Sequence, residues 1–175
     1  MARPVTLYTG QWGDLSLEEV CKLASEMGYE GLEIATNGHI NCHEVVTNQE
    51  YEKQVKDTLK KYNLKCTALG AHLSGQCVGD LYDPRLDGFA PSEYAGKPEE
   101  IRAWGIREMK DTARAAKVMG CDVVTGFMGS AVWKYFYSFP QTSEEMIEAA
   151  YQEQVEFWTP IFDVFDECGV RFALE

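Results

Sequence analysis

"KVMGCDVVTGFMG", residues 117–129, holds the pattern on which the fold turns. Lys117 closes a run of helical spacing, and Gly120 supplies the left-handed residue that stops a helix. Two residues later "VVTG" is apolar and β-branched, the composition of a buried strand. The unit recurs three times. "LSLEEVCKLASEMG" (15–28) stops at Gly28 before "YEGLEIA"; "NQEYEKQVKDTLKKYN" (48–63) stops at Asn63 before "LKCTALGAHL"; and "SEEMIEAAYQEQVEFWTPIFDVFDECG" (143–169) stops at Gly169 before "VRFALE". With "PVTLYTG" as an opening strand the order is βαβαβαβαβ.

Local signals agree with these boundaries. Ser16 and Glu19 form a capping box, flanked by Leu15 and Val20 at the staple positions. Leu17, Val20, Ala24 and Met27 mark the apolar face of the first helix. Tyr51, Val55, Leu59 and Tyr62 mark that of the second. Pro98, Glu99 and Glu100 open the third, with Lys110, Arg114 and Lys117 towards its negative end. Thr142 and Glu145 open the fourth, which is expected to kink or break near Pro160.

Strands separated by helices of this length pair in parallel through right-handed crossovers, so the fold class is α/β. Two architectures share the order. A five-stranded doubly wound sheet is complete at this length, whereas a (β/α)8 barrel needs roughly 250 residues. In both, function gathers at the carboxyl ends of the strands. The loop lengths point there, because the segments 36–47, 72–97 and 129–142 are long while the turns from helix to strand are minimal. "YTGQWGDLS" (8–16) has two glycines three apart but suits a tight turn better than a phosphate cradle.

The 175 residues carry a net charge of −12, which argues against nucleic acid as a partner. Neither a membrane-length apolar segment nor a basic amphipathic one is present, so no membrane partner is expected. The first ten residues do not read as a signal peptide. Six scattered cysteines without a CxxC pair fit reduced thiols of a cytoplasmic protein.

Several residues could carry chemistry. Glu175 ends a strand. Glu33, inside "GLEIA", is costly in a parallel strand unless it is liganded or paired with a neighbouring Arg or Lys. His72 lies where the third strand gives way to its long loop, and reads equally as a structural hydrogen-bonding residue. "HINCH" (39–43) spaces two histidines by four around a cysteine but lacks a second ligand pair, so His39 is a better candidate for substrate contact than for zinc. Trp12 is a further candidate contact. The aromatic run after the fourth strand, with Trp133, Lys134, Tyr135, Phe136, Tyr137 and Phe139, would suit the face of a sugar ring, a hydrophobic lid or a subunit interface.

The stretches "PVTLYTGQWGDLSLEEVCKLASEMGYEGLEIA", "AHLSGQ", "EMKDTARAAKVMGCDVVTGFMGSAVWK" and "PIFDVFDECGVRFALE" resemble the sugar phosphate isomerase/epimerase family of xylose isomerase-like barrels. The resemblance implies that residues 1–175 are the first five strands and four helices of an incomplete (β/α)8 TIM barrel, with strands six to eight absent. It implies a divalent metal (manganese, magnesium or another) held by a Glu ending strand five, which matches Glu175, and by an Asp, a His and a Glu of later strands. It places His72 on the substrate side. The implied reaction is metal-assisted proton transfer beside the carbonyl of a sugar or cyclitol, through an enediolate. With one presumptive ligand left, this chain is expected to be inactive alone and to bind the metal weakly. Self-association, or pairing with a separate C-terminal half, is expected at the open strand edges. Two alternatives remain: a relative of C-glycoside deglycosidase alpha subunits, and a non-catalytic half-barrel. Endonuclease relatives use many histidines, and three are present here.

Overall fold

The structure, a computed structural model, describes residues 3–135, 137 and 139–175. Five parallel strands form one sheet in the order β1-β2-β3-β4-β5. They are β1 (Thr6–Tyr8), β2 (Gly31–Ala35), β3 (Lys65–Gly70), β4 (Val123–Gly126) and β5 (Arg171–Leu174). Each strand bonds only its sequence neighbours, and β1 lies at an edge. A flavodoxin-like sheet would put its first strand between the second and third. The sequential order is that of a (β/α)8 barrel over five of its strands.

The four crossovers are α1 (Leu17–Glu26), α3 (Gln49–Lys61), α5 (Pro98–Met119) and α6 (Glu144–Cys168). All four stops adopt positive φ: Gly28, Asn63, Gly120 and Gly169. The capping box at Ser16 and Glu19 closes in both directions. Three details differ from expectation. Ser143, not Thr142, caps α6 by accepting from the Met146 amide. That helix runs unbroken through Pro160. Met27, expected on the buried face, is the C-cap of α1 and is 62% exposed.

Helix count is a further difference. Two more α-helices sit inside the long loops, α2 (Cys42–Thr47) and α4 (His72–Gly79), and the rest of the β3–α5 loop makes 3-10 turns at Pro84–Gly88 and Ser92–Tyr94. That loop has its own small core, where Leu86, Ile101 and Cys77 pack with Tyr82, Phe89 and Trp104.

The main core lies between the sheet and its crossover helices. Leu32, Ile34, Leu69 and Val124 are fully buried there, with Ala113, Ala115 and Ala116 of α5 bringing that helix close to the strands. At the β5 end, Phe172 packs among Trp158, Phe162 and Phe165 of α6, with centroid separations of 5.3–5.9 Å. Alternation sends Glu33, between Leu32 and Ile34, to the opposite face. Among the described residues no helix is long and apolar enough to cross a membrane.

Candidate active site

The middle of β2 and the carboxyl ends of β3 and β5 bring ligand-type atoms together. One atom each from Glu33 on β2, His72 at the start of α4 and Glu175 just after β5 lie within 4.8 Å of one another. The sheet does this simply. Parallel neighbours all present their carboxyl ends on one side, so residues 103 positions apart meet, with His72 Nε2 3.0 Å from Glu175 Oε2.

Each member is held from behind. The carboxylate of Glu175 can only accept, so Nε2 carries the proton and Nδ1 accepts from the Tyr8 hydroxyl at 3.1 Å. The His72 ring is further gripped edge-on by Tyr8 (5.1 Å) and Phe127 (4.9 Å). The Thr125 hydroxyl donates to Glu33 Oε1 at 2.6 Å. No Arg or Lys among the described residues pairs with Glu33, so the structural alternative of an ion pair is not what satisfies it. Burial raises the Tyr8 hydroxyl above the ordinary phenol range, and the charges of Glu33 and Glu175 raise it further, so it keeps its proton as a donor.

Other sequence candidates sit elsewhere. His39 is 5% exposed and both its ring nitrogens are engaged: Nδ1 accepts from the Thr9 hydroxyl (3.0 Å), and Nε2 donates to the Trp12 carbonyl (3.0 Å). The ring braces the 3-10 turn Thr9–Trp12, which agrees with a tight turn there rather than a phosphate cradle. His43 faces away to Asp111 at 3.0 Å, and Cys42 is buried beneath Thr112, so "HINCH" gathers no common ligand point. Trp12 is half-buried at that turn. Trp133 is 69% exposed beside the mouth. The side chain of Lys134 and the whole of Phe136 lie outside the described residues.

Beyond the cluster a cavity of about 1030 Å³ opens from Glu175 between α4, the β4 loop and the start of α6. Phe89, Phe127, Trp133 and Tyr151 give it aromatic walls; Gln76 and Gln154 add amides. Gln154 Oε1 is buried with no partner among the described residues, leaving an acceptor at the wall. Tyr8, Thr125 and Phe127 were not singled out from sequence. A tyrosine or threonine in a strand looks like ordinary β composition, and only the register shows which face it takes.

Comparisons with known proteins agree with the fold. The model of the family described as xylose isomerase-like TIM barrel matches residues 21–175. The uncharacterized protein YfiH of Bacillus subtilis (strain 168) is 24% identical over 181 residues, spanning 98% of this chain and 54% of that protein. Among solved structures, the 3-keto-D-glucoside 4-epimerase YcjR of E. coli superposes with a TM-score of 0.65 at 17% identity, over 99% of this chain and 56% of that one. The D-allulose 3-epimerase of Methylomonas sp. with D-allulose gives 0.58 at 19%, over 98% and 50%. The IOLI protein with a bound zinc atom gives 0.58 at 16%, over 98% and 51%. The chain thus spans about half the length of the proteins it matches.

Proposed function

The chain belongs to the xylose isomerase-like TIM-barrel family, and from that premise we propose that it supplies part of an active site for metal-assisted proton transfer beside the carbonyl of a sugar-like substrate. The observation that carries this reading is the convergence of Glu33, His72 and Glu175 within 4.8 Å. Two carboxylates and an imidazole are donors that manganese, magnesium or zinc accepts. All three would hold the ion, His72 through Nε2 once that nitrogen has given up its proton and Nδ1 donates to the Tyr8 oxygen instead, where the resemblance alone leaves Glu175. A bound divalent cation there would polarise a carbonyl oxygen and lower the cost of removing the neighbouring proton. The chain's own residues set the geometry: Tyr8 fixes the His72 ring through Nδ1, and Thr125 orients Glu33.

Three donors are about half of the six that a hard ion takes, so this chain alone binds it weakly and does not turn over. Further ligands and the proton-abstracting carboxylate would come from other residues of the whole protein. Titration with Mn²⁺, followed by electron paramagnetic resonance, tests the reading. Glu33→Gln, His72→Gln and Glu175→Gln should each weaken binding by at least the roughly tenfold that losing a mere outer-shell partner of a ligand costs. Affinity unchanged from the unsubstituted chain in all three variants would sink it.

The cavity favours a glycoside over a free ketose. Its volume is at the upper end of the roughly 300–1,000 Å³ of drug-sized sites and exceeds what one sugar ring fills. A sugar at Glu175 with an aromatic aglycone against Trp133 and Phe89 uses both regions, as the deglycosidase-like alternative requires. Phenyl β-D-glucoside should then quench tryptophan fluorescence at lower concentration than D-fructose, and Trp133→Ala should abolish the difference. Equal responses to the two sugars in the unsubstituted chain would return the reading to a free ketose.

A further inference from the structure

On the opposite, amino-terminal side of the sheet two thiols face each other. Leu69 pairs with Val124 and Gly70 with Thr125, each across 55 residues. Below those pairs, Cys66 of β3 and Cys121, two residues ahead of β4, bring their Sγ atoms to 3.7 Å. A modest rotation about the Cα–Cβ bonds closes the sulfurs to bonding distance.

The two residues differ in exposure. Cys121 is 7% exposed, whereas Cys66 is half-buried and lines a cleft of about 440 Å³. Lys56, Lys60 and Lys65 surround that cleft. Among the described residues Lys56 pairs with Glu52, while Lys60 and Lys65 have no ion pair. In a chain of net charge −12 this is a local cationic rim around a thiol.

We propose that Cys66 and Cys121 form a thiol–disulfide exchange site whose oxidant is the disulfide of a small anionic thiol. Cys66 attacks one sulfur of the oxidant, whose S–S bond breaks. One reduced thiol leaves, and a mixed disulfide remains on Cys66. The Cys121 sulfur then attacks the Cys66 sulfur, and the second reduced thiol departs with the Cys121 proton. Two protein thiols are oxidised and one external disulfide is reduced. The Cys66 thiol donates to the Cys121 sulfur, which holds the Cys121 thiol below its ordinary range and pushes Cys66 up. Once Cys121 has ionised, its thiolate accepts the Cys66 proton as the first attack proceeds and later passes it to the second departing thiol.

Cys21, Cys42 and Cys77 are at most 1% exposed, which keeps an external disulfide from them. The bridge would staple β3 to β4 at the end opposite the site whose far ends carry Gly70 and Thr125. A cytoplasmic protein would hold such a pair reduced until its surroundings turn oxidising.

Glutathione disulfide, added to the purified chain, is the probe. Of the six thiols, two should disappear under denaturing titration, the mass should fall by two hydrogens, and peptide mapping should join Cys66 to Cys121. Cys121→Ser should stop at the mixed disulfide on Cys66, and Cys66→Ser should form neither. Lys60→Glu with Lys65→Glu should slow the reaction severalfold while leaving that with neutral 2-hydroxyethyl disulfide unchanged. A bridge between any other pair, an unreactive wild type, or unaltered bridging in Cys66→Ser overturns the proposal.

Discussion

Gly70 shows how little room the candidate site has. A Cβ at this position would stand 2.7 Å from Tyr8 Cε2 and 3.3 Å from both Glu33 Oε1 and His72 Cε1. Gly70→Ala should therefore cost about 1–3 kcal/mol, the usual range for overpacking, measured by urea unfolding. It should also weaken Mn²⁺ binding, because the ring that must move is the one holding His72. A substitution that changed neither would mean that the site is looser than these distances. Tyr8 gives a second prediction at this scale. Its folded pKa is raised, by burial first and then by Glu33 and Glu175. The stability it contributes is complete below the unfolded phenol value of about 10 and is lost as pH climbs through the higher folded value. Tyr8→Phe, having no proton to lose, should flatten the decline of the unfolding midpoint above pH 10. An unchanged alkaline slope would count against the buried, neutral hydroxyl. Glu33 was legible in the sequence because a lone carboxylate between apolar strand residues demands an explanation. Tyr8 and Thr125 carried no such signal, since their hydrogen-bond partners, His72 and Glu33, lie 64 and 92 residues away in sequence.

Elements follow the same division between local and tertiary causes. The crossover helices were readable because a cap, a periodic face and a left-handed stop are all encoded within about twenty residues. Ser16 is a case where one side chain decides a boundary: it accepts from the Glu19 amide, and Glu19 returns the contact to the Ser16 amide at 2.8 Å. Ser16→Ala should lower stability by about 1 kcal/mol, read as a shift in the urea midpoint with an unchanged m-value. Loss of less than a few tenths would mean that water replaces the cap at no cost. α4 was not legible. "HLSGQCVG" contains two glycines and a serine, poor helix formers, and its N-cap Ala71 makes no side-chain bond. Packing on α5 holds it: Gly105 lets that helix approach so closely that a Cβ there would meet the Ser74 carbonyl at 2.8 Å. His72 owes its position to this tertiary contact, which explains why sequence located the residue but not the helix that carries it. The shifted cap at Ser143 has a smaller cause, for Thr142 and Ser143 are both competent caps and adjacent in sequence.

At the scale of the whole molecule, the sheet has two edges where a closed barrel has none. β1 and β5 each bond one neighbour, and an unpaired edge is a template for another chain. The β5 side is also apolar. Leu174 is 62% exposed, and Ile147, Tyr151 and Val155, spaced by four along α6, are 41%, 66% and 57% exposed. Such a stripe beside an open strand is unusual on a solvated surface and favours self-association of the isolated chain. Charge opposes it, because a net charge of −12 makes two copies repel over a distance set by ionic strength. The two effects respond differently to salt, which makes the balance measurable. By sedimentation equilibrium, the weight-average mass should rise with protein concentration and rise further as salt screens the repulsion. Leu174→Lys, which places a cation on the exposed strand end without touching Glu33 or His72, should hold the chain monomeric under the same conditions. If association persists unchanged in that variant, the contact lies away from the β5 edge; if wild type stays monomeric in high salt, repulsion is not what keeps the edge apart.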